Sequence, residues 1–203
     1  MHKFERIYRE LLLSSLRKVS VVRQEDIASC CGVSLGLVNK TVKKLEAALA
    51  VEATRLGVRV LSPARLLNLW AAERDLGEDV WQSFRLDPVD EVEKDLPRGV
   101  LVTGFSGWSS ISGRRPAEYD RLYFYVVDRE GFDLWLGFRK ERTRRANPNV
   151  FVLRVEDEHL VRSSEKGVVC VPQVYVDIYS IGGPEASAFL RDIASVYPSL
   201  SLW

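Results

Sequence analysis

The chain has 203 residues, of which 46% are hydrophobic and 28% charged, with a formal net charge of +1. This composition excludes a largely disordered protein. No stretch approaches the ~18 consecutive apolar residues of a membrane span, and the amino terminus lacks a signal peptide's apolar core, so we expect a cytoplasmic protein with no membrane partner. The three cysteines have neither disulfide-framework nor zinc-site spacing, and we expect no metal and no cofactor.

The charges are distributed unevenly along the chain. Residues 1–62 carry eleven Lys and Arg against six Asp and Glu, whereas residues 63–99 carry five against nine. Residues 100–203 carry thirteen of each sign. A basic amino-terminal part followed by an acidic segment predicts a polyanion-binding module joined to a second domain.

The amino-terminal part has the pattern of three helices. Apolar residues recur at helical spacing over 4–16 and predict an amphipathic first helix. Residues 24–33 read as a short helix that ends at Gly32, where glycine adopts the left-handed conformation without strain. Ser34 can cap a further helix over about 35–49. The turn between these two helices is three or four residues long, which is typical of a helix-turn-helix.

The outward face of the helix after Ser34 predicts a DNA contact. It carries small and hydrogen-bonding residues near its start and lysines further along, which suit base edges and phosphates respectively. Two alternating runs joined by a turn at Gly57 then predict a β-hairpin, the wing of a winged helix-turn-helix. The predicted DNA-binding residues are Ser34, Gly36, Leu37, Asn39, Lys40, Lys43, Lys44, Arg55 and Arg59.

Two alternatives to DNA binding remain open for this module. The lysines could form no more than a solvated helix face, although their coincidence with a helix-turn-helix and a hairpin favours double-stranded DNA. Winged helices also serve as protein-interaction modules.

The rest of the chain predicts a mixed α/β domain. Strands are expected over 122–127, 132–138 and 150–155, and a helix is expected over 184–197. The segments 100–111 and 171–181 fit both the helical period and the strand period. The basic run 139–145 is read either as a loop that contacts phosphate or an acidic partner, or as a solvated loop. The predicted fold class is therefore α+β, with a winged helix-turn-helix domain (1–72), an acidic ordered connector (73–98) and a mixed α/β domain for an effector or partner (99–203).

A search for catalytic residues finds no complete set. A nucleotidyltransferase holds Mg²⁺ with two carboxylates one residue apart on a strand that follows a Gly-Ser turn. Gly104 and Ser106 precede Asp120, and Asp177 could act as a third ligand, but Leu122 stands where the second carboxylate belongs. We therefore expect no enzyme and no catalytic residues. A degenerate nucleotidyltransferase-like domain is the alternative.

Several short motifs resemble the AbiEi-type antitoxins of type IV toxin–antitoxin systems. They are SPARLLNLWA (62–71), LVTGFS (101–106), PQVYVDIY (172–179) and GGPEA (182–186). The resemblance implies a DNA-binding repressor of its own operon that also counters a nucleotidyltransferase-like toxin, and it implies that both ambiguous segments are helices. The DNA-binding role falls on 34–44 and on the hairpin, and no residue is matched to the toxin-countering role.

The predicted function is sequence-specific binding of double-stranded DNA by a transcriptional regulator, which could also be an autoregulating antitoxin. A homodimer is expected, because one winged helix makes few contacts and two half-sites supply the missing specificity. The alternative is an antitoxin that acts mainly by binding a toxin as its partner protein.

Overall fold

The chain is an α+β protein, as the sequence predicts. Its structure, a computed structural model, describes residues 1–139, 147–155 and 158–201. The chain divides into two compact units, Met1–Arg74 with Ile193–Trp203, and Asp75–Asp192. The basic run 139–145 lies, apart from Arg139, outside the described residues.

The first unit is built from helices and one hairpin. Its elements are α1 (Lys3–Leu16), α2 (Gln24–Cys31), α3 (Leu35–Ala47), β1 (Val51–Thr54), β2 (Gly57–Val60), α4 (Pro63–Glu73) and a short 3₁₀ helix (Pro198–Leu200). Gly32 ends α2 with φ of 60°, and the Ser34 hydroxyl caps α3 by accepting the Leu37 N–H at 3.2 Å. The turn from α2 to α3 is thus three residues long, because helix-ending and helix-starting signals follow one another directly.

A buried ion pair joins α1 to the end of α4. Glu5 Oε2 accepts a hydrogen bond from Trp70 Nε1 at 2.9 Å and lies 3.5 Å from a guanidinium nitrogen of Arg74. The Glu5 and Arg74 side chains are only 2% and 1% exposed. The surrounding core of the unit is apolar and includes Ile7, Leu11, Leu12, Ile27, Val38, Leu45, Leu66 and Leu67.

The hairpin is held against the segment that precedes α2. Thr54 pairs with Gly57, so its tip is a two-residue loop of Arg55 and Leu56. Val22 exchanges both backbone hydrogen bonds with Val58, at 2.9 and 2.8 Å. Gly57 has φ of 141°, and a Cβ there would meet the Val22 carbonyl oxygen at 2.4 Å. Glycine is therefore required where the hairpin approaches this segment.

The second unit contains a four-stranded mixed sheet with strand order β3-β6-β5-β4. Its elements are a short 3₁₀ helix (Gly77–Asp79), β3 (Val80–Phe84), α5 (Val89–Lys94), β4 (Val100–Thr103), α6 (Gly104–Ser112), β5 (Leu122–Val126), α7 (Arg129–Arg139), β6 (Val150–Arg154), α8 (Glu158–Arg162), α9 (Val171–Ile181) and α10 (Gly183–Val196), whose last four residues belong to the first unit. Strands β5 and β6 are parallel, and the two outer pairings are antiparallel. The segment 75–98, which includes β3 and α5, belongs to this unit.

The strand predicted over 132–138 is wrong, since these residues lie in α7. Parallel neighbours such as β5 and β6 need a crossover connection, and a helix commonly supplies it. Phe132, Trp135 and Leu136 pack against the core at helical spacing, whereas Leu134 and Phe138 are exposed. The β-prone residue types of this short run concealed its helical period.

Most of the other helices and strands predicted for the second unit are confirmed. The strands predicted over 122–127 and 150–155 and the helix over 184–197 are confirmed within about a residue. Of the two ambiguous segments, 171–181 is helical. The segment 100–111 begins as β4 and continues as α6, so the helix that the resemblance implies is wrong for its first four residues.

None of the helices in the described ranges is long and apolar enough to cross a membrane.

Candidate nucleic-acid interface

Helix α3 has one buried side and one exposed side. Its buried apolar residues, Val38, Val42 and Leu45, pack into the first unit, and Thr41 is buried beside them. Of the predicted DNA-binding residues of this helix and its cap, Ser34, Gly36, Asn39, Lys40, Lys43 and Lys44 are exposed and Leu37 is half-buried. The two sides follow from the helical period, since the apolar residues recur every three or four positions.

The hairpin tip and the start of α3 border the same depression. This depression of about 260 Å³ is lined by Asn39 of α3 and by Arg55 of the tip. Arg23, Gln24 and Glu25, at the start of α2, line it as well. The structure thus brings Asn39 and Arg55 together, and it places beside them a basic and an acidic residue at the start of α2 that the sequence pattern did not indicate. Nothing in the local pattern around Arg23 distinguishes it from an ordinary residue before a helix.

The basic residues of this surface differ in their partners. Within the described residues, no carboxylate lies at ion-pairing distance from Lys40, Lys43 or Arg55. Arg59, in contrast, lies 3.5 Å from its cross-strand neighbour Glu52. Within the described part of the chain, the charges of Lys40, Lys43 and Arg55 are therefore not neutralised by an ion pair.

Lys44 is held by groups from two other helices. Its Nζ lies 2.7 Å from Glu73 Oε1 at the end of α4 and 5.8 Å from the ring centroid of Phe4 in α1. The Tyr8 hydroxyl donates to the same carboxylate oxygen at 3.4 Å. Burial, and secondarily the charge of Glu73, raise the pKa of that hydroxyl, which keeps it protonated as a donor. No local pattern indicates the Lys44–Glu73 pair, since the two residues are 29 positions apart.

The carboxylates considered for catalysis lie in different environments. Asp177 is fully buried, and it accepts hydrogen bonds from Thr103 Oγ1 at 2.7 Å, Tyr125 OH at 2.9 Å and Gln173 Nε2 at 2.9 Å. Asp120 is exposed in the segment before β5. Since one is solvated and the other lies in the core, these two carboxylates do not form a shared solvent-accessible site.

Comparison of the chain with protein-family models, with curated proteins and with solved structures finds no match. The case for a function therefore depends on the geometry of the chain's own residues, and the resemblance to AbiEi-type antitoxins stays a prediction.

Proposed function

We propose that residues 1–72 are a winged helix-turn-helix domain and that the protein is a transcriptional regulator that binds specific double-stranded DNA. The observation that carries this proposal is the exposed face of α3, where Lys40 and Lys43 have no carboxylate partner among the described residues and the hairpin tip with Arg55 lies alongside. Lysine and arginine side chains of this kind contact phosphates in protein–DNA complexes.

The dimensions of α3 suit the major groove. A helix of 13 residues is about 20 Å long, and the major groove, about 12 Å wide, admits an α-helix. The exposed Asn39 side chain offers both a donor and an acceptor, the pair needed for a bidentate contact with adenine. In this arrangement Asn39 reads a base while Lys40 and Lys43 contact the backbone.

The order of elements supports the same assignment. Three helices, with a three-residue turn between the second and third, are followed by a hairpin whose tip reaches the side of α3. In a winged helix, the hairpin after the recognition helix supplies a second contact to the DNA. Arg55 and Leu56, at the two-residue tip, are the residues placed to make it.

We propose further that the protein binds as a homodimer on paired half-sites. One small module covers only about 600–1,000 Å² of protein surface on DNA, and symmetry doubles the number of base contacts. If the chain is an antitoxin of the type it resembles, the DNA is its own operator. The toxin-countering role remains without an assigned residue.

The direct test is selection of duplexes from a random pool by the intact protein. We expect a recovered site with two-fold symmetry, bound at least about a thousandfold more tightly than random duplex of equal length. Single-stranded DNA of the same sequence is the control and should bind no better than random duplex. Recovery of no enriched duplex would contradict the proposal.

Glu73→Gln is expected to strengthen DNA binding by roughly two- to fivefold at ~0.1 M salt. The substitution removes the ion pair that holds Lys44, and partly exposed pairs of this kind are worth up to about 1 kcal/mol. Affinity for the selected duplex, measured by fluorescence anisotropy, tests this.

Two further variants separate release of Lys44 from simple loss of negative charge. Glu46→Gln removes one charge on α3 itself while retaining an oxygen to accept the Ala53 N–H, which Glu46 Oε1 accepts at 2.9 Å. It should raise affinity less than Glu73→Gln does. In a Lys44→Ala background the gain from Glu73→Gln should largely disappear, and a gain of equal size there would rule out the Lys44 explanation.

A further inference from the structure

A shallow surface cavity in the second unit, open to solvent, lies at the edge of the sheet where the two parallel strands end. Its volume is about 380 Å³, within the range of about 300–1,000 Å³ typical of small-molecule sites. Residues from β3, the ends of β5 and β6, and the start of α7 line it. It shares no residue with the proposed DNA-binding surface.

The topology of the sheet makes this edge a favourable place for a ligand. In doubly wound α/β sheets, ligands bind outside the carboxyl ends of parallel strands, and the single parallel pair of this sheet offers an edge of the same kind. Strands β5 and β6 are parallel, and both end at this edge, at Val126 and Arg154. The neighbouring β3 is antiparallel to β6, so its first residues reach the same edge.

A β-bulge introduces an aromatic ring at this edge. The register between β3 and β6 shifts between Val80 and Gln82, and Trp81 is the residue left out of register. Bulges re-aim side chains in this way and are frequent next to functional sites. The Trp81 ring lies 6.1 Å from that of Phe132 in α7, and the guanidinium carbon of Arg129 lies 4.7 Å from the Trp81 ring centroid. Arg129 and Trp81 thus form a stacked pair on one wall.

Among the described residues, the charged groups that line the cavity are two arginines. Arg154, the last residue of β6, is exposed, and no carboxylate of the described residues lies within 4.0 Å of its guanidinium. The carboxylate that pairs with Arg129 in this part of the chain is that of Asp133, at 3.8 Å. The carboxylate of Asp128 accepts the Gly131 N–H at 3.1 Å and so caps the first turn of α7. Val126 and Leu153 provide the apolar part of the lining.

We propose that this cavity binds a small organic anion that contains a flat aromatic ring together with a phosphate or carboxylate group. Arg154 binds the anionic group, since a guanidinium matches both groups with two parallel hydrogen bonds. The ring stacks on the Arg129–Trp81 pair, because a guanidinium plane accepts aromatic faces as readily as an indole does. This role is independent of DNA binding.

The test is isothermal titration calorimetry on the intact protein with four probes. Adenosine 5′-monophosphate and benzoate each carry a ring and an anionic group. Adenosine supplies the ring of the monophosphate without its charge, and inorganic phosphate supplies the charge without the ring. We expect at least one of the complete probes to bind with a Kd below about 1 mM, and each half to bind at least about tenfold more weakly. Tighter binding of the monophosphate identifies a nucleotide-like ligand, and tighter binding of benzoate an aromatic carboxylate.

Three variants locate the binding. Arg154→Ala is expected to weaken the better probe by about tenfold or more, the cost of a charge-assisted contact, and Arg129→Ala to weaken it less. Arg191→Ala, an equally exposed arginine on α10, is the matched control and should leave the Kd unchanged. The proposal is overturned if neither complete probe binds with a Kd below about 1 mM, if phosphate alone binds as tightly, or if Arg154→Ala has no more effect than Arg191→Ala.

Discussion

Replacement of Lys40 and Lys43 together by alanine is expected to weaken binding to the selected duplex by about tenfold or more. It should also lower the slope of log K against log salt by about two, because each lysine that neutralises a phosphate releases about one counterion. Both side chains are exposed on the outward face of α3, and the described residues include no carboxylate partner for either. Their loss should therefore cost little stability.

A matched double variant separates these contacts from the effect of net charge. Lys94→Ala with Lys166→Ala removes the same two charges from exposed positions in the second unit. We expect it to change the affinity by less than twofold at ~0.15 M salt, where charges beyond about 8 Å are largely screened. If the α3 pair and this control weaken binding equally, or if neither does, α3 is not the recognition helix.

Glu5→Ala is expected to lower the free energy of unfolding by about 1–3 kcal/mol, because it removes a buried carboxylate that pairs with the Arg74 guanidinium. The same change removes the acceptor of the buried Trp70 indole N–H, which Glu5 Oε2 accepts at 2.9 Å. Urea unfolding of the intact protein, followed by circular dichroism, measures the loss.

Two controls test whether loss of the Glu5 carboxylate from the buried pair is the cause. Glu25→Ala, at an exposed position of α2, should change stability by no more than ~0.5 kcal/mol. Glu5→Leu combined with Arg74→Leu replaces both charges by apolar groups and should cost less than Glu5→Ala alone. A loss below about 1 kcal/mol for Glu5→Ala would show that the pair contributes little.

The parts of the candidate site that could be predicted from the sequence depend on contacts within about four residues. Gly32 ends α2 and Ser34 caps α3, and both signals are local. The exposed position of Lys40 and Lys43 follows from the helical period, since Val38 and Val42 must face the core. The hairpin at Gly57 could be predicted from the alternation of apolar and polar residues and from the turn residue. Its close approach to Val22 could not be predicted in this way.

The parts that could not be predicted depend on residues far apart in the chain. The pairing of Lys44 with Glu73 requires the end of α4 to lie beside α3. The buried environment of Asp177 depends on Thr103 and Tyr125 from two strands. Neither the partner of Lys44 nor the partners of Asp177 can be assigned from one sequence, because the chain contains many other carboxylates and hydroxyls.

Residue order alone was enough to establish the basic amino-terminal module, its helix ends and the outward lysines of α3, because helix periodicity and capping act over a single turn. Folding in three dimensions determined that 132–138 is a helix, since the parallel pairing of β5 with β6 demands a crossover. It also determined which lysines are paired, and it placed Trp81, Arg129 and Arg154 around one cavity. These features depend on contacts between residues that are far apart in the chain, and no local sequence pattern specifies such contacts.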